Sequence, residues 1–107
     1  MAEVSYHVTL SPTARRDYLN QIVWRIENRS KRNARAFEAA LLTFTDQLKH
    51  FPLLWPEINI SGQQVRKGVI GKDTIVLYAV NQRLQRAQLL AIRGAAKDWT
   101  NQPLPTD

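Results

Sequence analysis

The sequence predicts an α+β domain in the order β-α-α-β-β-β. Residues 4–10 alternate apolar and polar with period 2, as a half-buried strand does. From Ala34 to Phe51, large apolar groups recur at helical spacing. After Gly62, runs rich in β-branched residues are separated by turn residues. A chain of 107 residues has room for one core and not for two independent ones.

In the first strand Val4, Tyr6, Val8 and Leu10 share one side, and Ser5, His7 and Thr9 the other. Ser11-Pro12 follows as helix cap and first helical residue: the Ser oxygen accepts an orphan N–H, and Pro has none to lose. Ala14, Tyr18, Ile22 and Ile26 recur every four residues, widened by Leu19 and Val23, which predicts a helix to about Asn28. The stretch 28–31 breaks it, with Ser30 as a new cap. Ala34, Phe37, Leu41, Phe44, Leu48 and Phe51 then line one face of a second helix, which Pro52 stops. The short connection implies an antiparallel helical hairpin. Residues 52–62 read as a loop, 64–70 as a strand, Gly71-Lys72-Asp73 as a turn, 74–80 as a strand, 81–83 as a turn and 87–92 as the last strand. One domain therefore spans 1–99, and the tail 100–107, with two prolines, is expected to be flexible.

The net charge of +6 points to an anionic partner: nucleic acid, an acidic protein or an anionic surface. The charge falls in two blocks, +4 over residues 25–35 and +5 over 58–98, separated by −2 over 36–57. The first block suits a solvated helix end, whereas the second coincides with strands. Absence of cysteine excludes disulfides, thiolate zinc sites and a cysteine nucleophile. No apolar run approaches the roughly 20 residues of a membrane helix, and residues 1–4 (MAEV) do not read as a signal peptide, so the expectation is a cytoplasmic protein with no membrane partner. No GxxxxGK[ST], GxGxxG or HExxH motif occurs, and His7 and His50 lie far apart, so neither a metal nor a cofactor is expected. His7, on the polar side of its strand, reads as solvated.

Residues 75–80 are apolar on both faces, with Ile75, Leu77 and Ala79 opposed to Val76, Tyr78 and Val80. The last strand sets Leu89 and Ala91 against Leu90 and Ile92. A two-helix hairpin covers one face of a small sheet. The other needs cover from the chain's own tail around Trp99, from a second copy or from a different protein. Trp24, off the main stripe of its helix, is a further candidate contact. The strands also carry Arg66, Lys67, Arg93 and Lys97, with Tyr78 nearby. Such a set suits phosphate binding or stabilisation of a developing phosphorane, and equally a solvated, aggregation-resistant strand edge. RNA cleavage through a 2′-hydroxyl needs no metal, but it needs one group to take a proton and another to give one.

Residues 6–14 (YHVTLSPTA), Asp17, Leu48, Phe51-Pro52, Val65-Arg66, 75–80 (IVLYAV), 89–94 (LLAIRG) and 97–99 (KDW) occur in an order that resembles the RelE/ParE toxin superfamily of type II toxin–antitoxin systems over residues 4–99. The resemblance implies a helical hairpin on a small curved antiparallel sheet. It also implies a small bacterial toxin that a cognate antitoxin wraps and neutralises. RelE-like members cut mRNA in the ribosome with Lys, Arg and a late Tyr; ParE-like members lack that cluster and inhibit DNA gyrase. Here Ile75 stands where RelE-like chains carry Arg, and no Tyr follows Tyr78, with Trp99 near the place of the late one. Arg66 matches an arginine common to both branches, and Arg93 falls where many ParE-like chains have His.

The resemblance therefore favours a ParE-like, non-enzymatic gyrase inhibitor, with a ribosome-dependent mRNA endonuclease as the alternative. Target binding is expected at Arg66, Lys67, Arg93, Lys97 and Trp99. No catalytic residue is assigned, and a nuclease would draw on Lys67, Arg66, Arg93 and Lys97. An acidic antitoxin segment is expected on Val76, Tyr78, Leu90 and Ile92, and a higher-order toxin–antitoxin assembly is compatible with this. The remaining partner is gyrase, or the ribosome and mRNA in the alternative.

Overall fold

The computed structural model describes residues 5–95 together with Pro103 and Leu104. Its elements are β1 (His7–Leu10), α1 (Pro12–Asn28), α2 (Lys31–His50), β2 (Glu57–Ile60), β3 (Gln63–Ile70), β4 (Thr74–Asn81) and β5 (Arg86–Gly94). The α+β class and the element order agree with the sequence, with one strand added. The strand β2 lies inside the predicted loop 52–62. It has the period-2 pattern of Ile58 and Ile60, and it turns into β3 through Ser61 and Gly62, both at positive φ (48° and 87°). A two-residue turn of that kind matches the twist of paired strands, and the Asn59 carboxamide oxygen accepts the Gly62 N–H at 2.9 Å.

The sheet order is β1-β5-β4-β3-β2. β2 to β5 form an antiparallel meander, whereas β1 lies parallel to β5, so the sheet is mixed rather than antiparallel throughout. A parallel neighbour requires a long crossover, and the helical hairpin and meander together supply it.

Both helices start on serine caps. Ser30 Oγ accepts the Asn33 N–H at 2.9 Å. Ser11 Oγ accepts the Ala14 N–H at 3.1 Å and donates to the Leu90 carbonyl at 3.2 Å, tying the start of α1 to β5. Each cap contributes about 1 kcal/mol.

Phe37, Leu41, Phe44 and Leu48 of α2 are buried against Ile70, Val76, Tyr78, Leu89 and Ile92 of the sheet, and Ala34 is buried beside α1. Phe51, the last member of the predicted stripe, lies just past the helix and is exposed. Gly68 has no room for a Cβ, because the Phe44 ring occupies that space. In α1 only Ala14 is fully buried, and Tyr18 and Ile22 are half-buried. Leu19, Val23, Trp24 and Ile26 face outward, because α1 meets α2 and β5 along a single narrow side.

One cation of the first basic block is structural. The Arg25 side chain, 11% exposed, donates to Asn33 Oδ1 at 2.9 Å and Thr74 Oγ1 at 3.3 Å, lies 3.6 Å from the Asp73 carboxylate, and stacks 4.4 Å above the Phe37 ring. It clamps both helices to the start of β4.

The second sheet face is partly covered by the chain itself. Ile60, Val65, Ile75, Leu77 and Ala91 gather around Leu104, with Ile58, Val69, Leu90 and Ala95 packed at their margin. At Leu104 the tail is therefore docked on the sheet rather than free; Trp99, the expected cover, lies outside the described residues. A bulge pairs Leu77 with Ala91 but Tyr78 with Leu89, and the extra residue Leu90 joins this second cluster. Among the described residues, no helix is long and apolar enough to cross a membrane.

Candidate functional site

The expected target-binding cations are not gathered into one open cluster. Arg66 pairs in register with Tyr78, and its guanidinium donates to the carbonyls of Trp55 (2.6 Å) and Leu53 (3.3 Å) and to Glu57 Oε1 (3.2 Å). At 17% side-chain exposure it is a latch on the loop before β2. The Tyr78 hydroxyl pins the same loop by donating to the Pro52 carbonyl at 2.9 Å. Burial pushes the Tyr78 pKa up, against the smaller lowering effects of the Trp55 backbone and of Arg66, so the hydroxyl keeps its proton at neutral pH.

Lys67 lies opposite Leu77, and Arg93 opposite Ile75, at the margin of the apolar cluster under Leu104. Arg93 donates to the Pro103 carbonyl at 3.1 Å and so holds the tail. Burial lowers its pKa from the usual guanidinium value, and Asp17 opposes that. Asp17 itself accepts the Ile92 N–H at 3.0 Å. Lys97 and Trp99 lie outside the described residues.

The expected antitoxin contacts need correction. Val76, Tyr78 and Ile92 are buried under the helical hairpin at 0%, 0% and 4% exposure, so their side chains are core, not surface. The strands are apolar on both sides, and alternation alone does not reveal which side the helices take. Leu90, half-buried on the other side, is the one member of the four outside the helix-side core.

Among the described residues, three open surfaces bear on binding. The first is the far half of the second sheet face, where Ala79, Asn81, Arg86, Gln88, His7 and Thr9 line a groove of about 510 Å³, with Leu84 at its rim. In register, His7 faces Arg86 and Arg86 faces Asn81; in the next row, Thr9 faces Gln88 and Gln88 faces Ala79. The second is the outer side of α1, with Leu19, Val23, Trp24 and Ile26 exposed beside a cleft of about 220 Å³ between the helices, lined by Ile22, Ala34, Lys31 and Arg35 among others. The third is the loop tip of Phe51, Leu53 and Leu54, all exposed. The groove residues drew no attention in the sequence beyond the solvated reading of His7. The available signal was polar residues on one side of three strands whose pairing the sequence does not reveal. Among the described residues, no group of three or more His, Cys, Asp or Glu could hold a metal ion.

No protein-family model and no curated protein matches the sequence. Solved structures do. The RelBE2 toxin–antitoxin complex of Mycobacterium tuberculosis superposes with a TM-score of 0.64 at 20% identity, covering 90% of this chain and 98% of that one. The chromosomal ParDE system of P. aeruginosa gives 0.68 at 11% identity, covering 87% and 98%. The archaeal RelE–RelB complex of Pyrococcus horikoshii OT3 gives 0.55 at 19% identity, again covering 87% and 98%. At such identities the likeness is one of architecture. A helical hairpin packed on a five-stranded sheet, matched over nearly the whole of each solved chain, identifies the RelE/ParE toxin fold.

Proposed function

We propose that this chain is the toxin of a type II toxin–antitoxin system, acting in the cytoplasm by binding DNA gyrase, and neutralised by a cognate antitoxin. The toxin role draws on the fold shared with the RelBE2, ParDE and RelE–RelB proteins. One observation favours binding over RNA cleavage. Ile75, at the position of the RelE-like arginine, is 4% exposed within an apolar cluster. On the helix side of the sheet, Tyr78 is a buried donor to Pro52 and Arg66 is engaged by carbonyls, so neither is placed to pass a proton to RNA.

The antitoxin segment is assigned to the outer side of α1. Four large apolar residues are exposed there, beside a block of residues 25–35 carrying +4. An amphipathic segment with acidic flanks fits both features. Val23, 52% exposed, offers a variant that leaves the core alone. Val23→Asp is expected to weaken capture of the antitoxin with the circular dichroism spectrum unchanged; undiminished capture would move the interface elsewhere.

The target is tested with purified chain in two reactions. Gyrase supercoiling should be inhibited at stoichiometric toxin, and translated mRNA should stay intact. Codon-phased cleavage that Lys67→Ala or Arg93→Ala reduces would establish the nuclease instead.

A further inference from the structure

We propose that the open half of the second sheet face is an oxyanion site that takes a phosphate group. The groove is rich in donors: His7, Thr9, Asn81, Arg86 and Gln88 line it, and among the described residues no Asp or Glu does. These five side chains come from three adjacent strands and stand in two register rows on one side of the sheet. Neighbouring strands lie about 4.8 Å apart, so side chains on facing residues such as His7 and Arg86 can reach a single tetrahedral anion together.

Arg86 differs in its engagement from Arg66 and Arg93, the other arginines of the described strands, and from Arg25 of α1. Arg25, Arg66 and Arg93 are each held by carbonyl, carboxamide or carboxylate oxygens. Arg86 is exposed and, among the described residues, forms no ion pair or side-chain hydrogen bond. Asn81 is oriented for donation: its Oδ1 accepts the Leu84 N–H at 3.0 Å, which leaves the amide NH2 for a ligand. Ala79 forms a low floor between these longer side chains, and Leu84 gives the rim an apolar shelf. A convergent donor set around a shallow floor suits a charged, multiply accepting group. The site needs none of the residues assigned to the toxin reading and stands independently of it.

The test is a titration of the full chain followed by amide NMR, at constant ionic strength set with sodium chloride. The probes are inorganic phosphate, acetate and a short single-stranded oligothymidylate. Phosphate is expected to shift His7, Thr9, Asn81, Arg86 and Gln88 before other residues, and more strongly than acetate. Arg86→Ala should weaken phosphate by about tenfold, the scale of one charge-assisted hydrogen bond. Arg32→Ala removes the same charge from an exposed position on α2 and should change binding by less than about twofold. Gln88→Glu keeps the groove's size but adds a repelling carboxylate, and should also abolish the shifts. Tighter binding of the oligonucleotide would identify the natural source as a phosphodiester chain, and equal binding a free phosphate group; either result supports the site. Diffuse shifts, an equal response to acetate, or equal losses in Arg86→Ala and Arg32→Ala would overturn it.

Discussion

The two halves of the second sheet face are built on the same strands and differ in what those strands carry. In β4, Ile75 and Leu77 are followed on the same side by Ala79 and Asn81; in β5, Ala91 gives way to Gln88 and Arg86 across the bulge. One half is sealed under Leu104, and the other is uncovered among the described residues. Each aliphatic side chain buried in the sealed half contributes about 1.5–3 kcal/mol. The open half contributes little to stability and is available for recognition. A shared strand geometry thus supports a structural surface and a binding surface side by side, with the bulge at their border.

Variants of the sealed half should have the largest effects. Ile75→Arg restores the cation typical of the nuclease branch, yet it places a charge beneath Leu104, so a loss of about 3–5 kcal/mol in urea unfolding is expected. Retained stability together with gained mRNA cleavage would break the comparison. Next, and outside the sealed half, Arg66→Ala on the helix side strips the carbonyls of Trp55 and Leu53 and the Glu57 carboxylate of their donor, and should cost about 2–3 kcal/mol by the same measurement. Leu104→Ala uncovers the cluster and should cost about 2 kcal/mol.

A smaller effect is expected on the helix side. Tyr78→Phe removes the hydrogen bond to Pro52, for a loss of about 1 kcal/mol at neutral pH. It should also change the alkaline limb of the stability curve. The folded chain holds the Tyr78 proton above the ordinary value of 10.0, whereas the unfolded chain releases it there. Stability from this group is therefore complete below pH 10.0 and falls as pH rises past it, and the variant should lose that part of the fall. Smallest of all, Arg86→Ala in the open half should stay within about 0.5 kcal/mol of the parent. A larger loss would mean that this half, too, is structural.

Much of the fold was legible because its signals are local. The Ser11 and Ser30 caps, the stripe from Ala34 to Leu48 and the strand at 74–80 each announce themselves within a few residues. β2 was hidden because four residues between Pro56 and Gly62 have too little pattern of their own; pairing with β3 makes them a strand. The helix-side assignment of Val76, Tyr78 and Ile92 was not legible either, since both faces of β4 are apolar and only the packed hairpin breaks the tie. Arg66 read as a surface cation because its partners are loop carbonyls, which carry no sequence signature. The groove from His7 to Arg86 depends on the parallel β1–β5 pairing, which joins opposite ends of the chain.

The central claim is that the chain acts by binding and not by cutting RNA. Its most direct test is to express the chain without an antitoxin, then map mRNA 5′ ends and plasmid topology in the same cells. The account predicts loss of negative supercoiling or trapped cleaved DNA, with mRNA ends unchanged. New codon-phased mRNA ends with plasmid topology unaltered would contradict it.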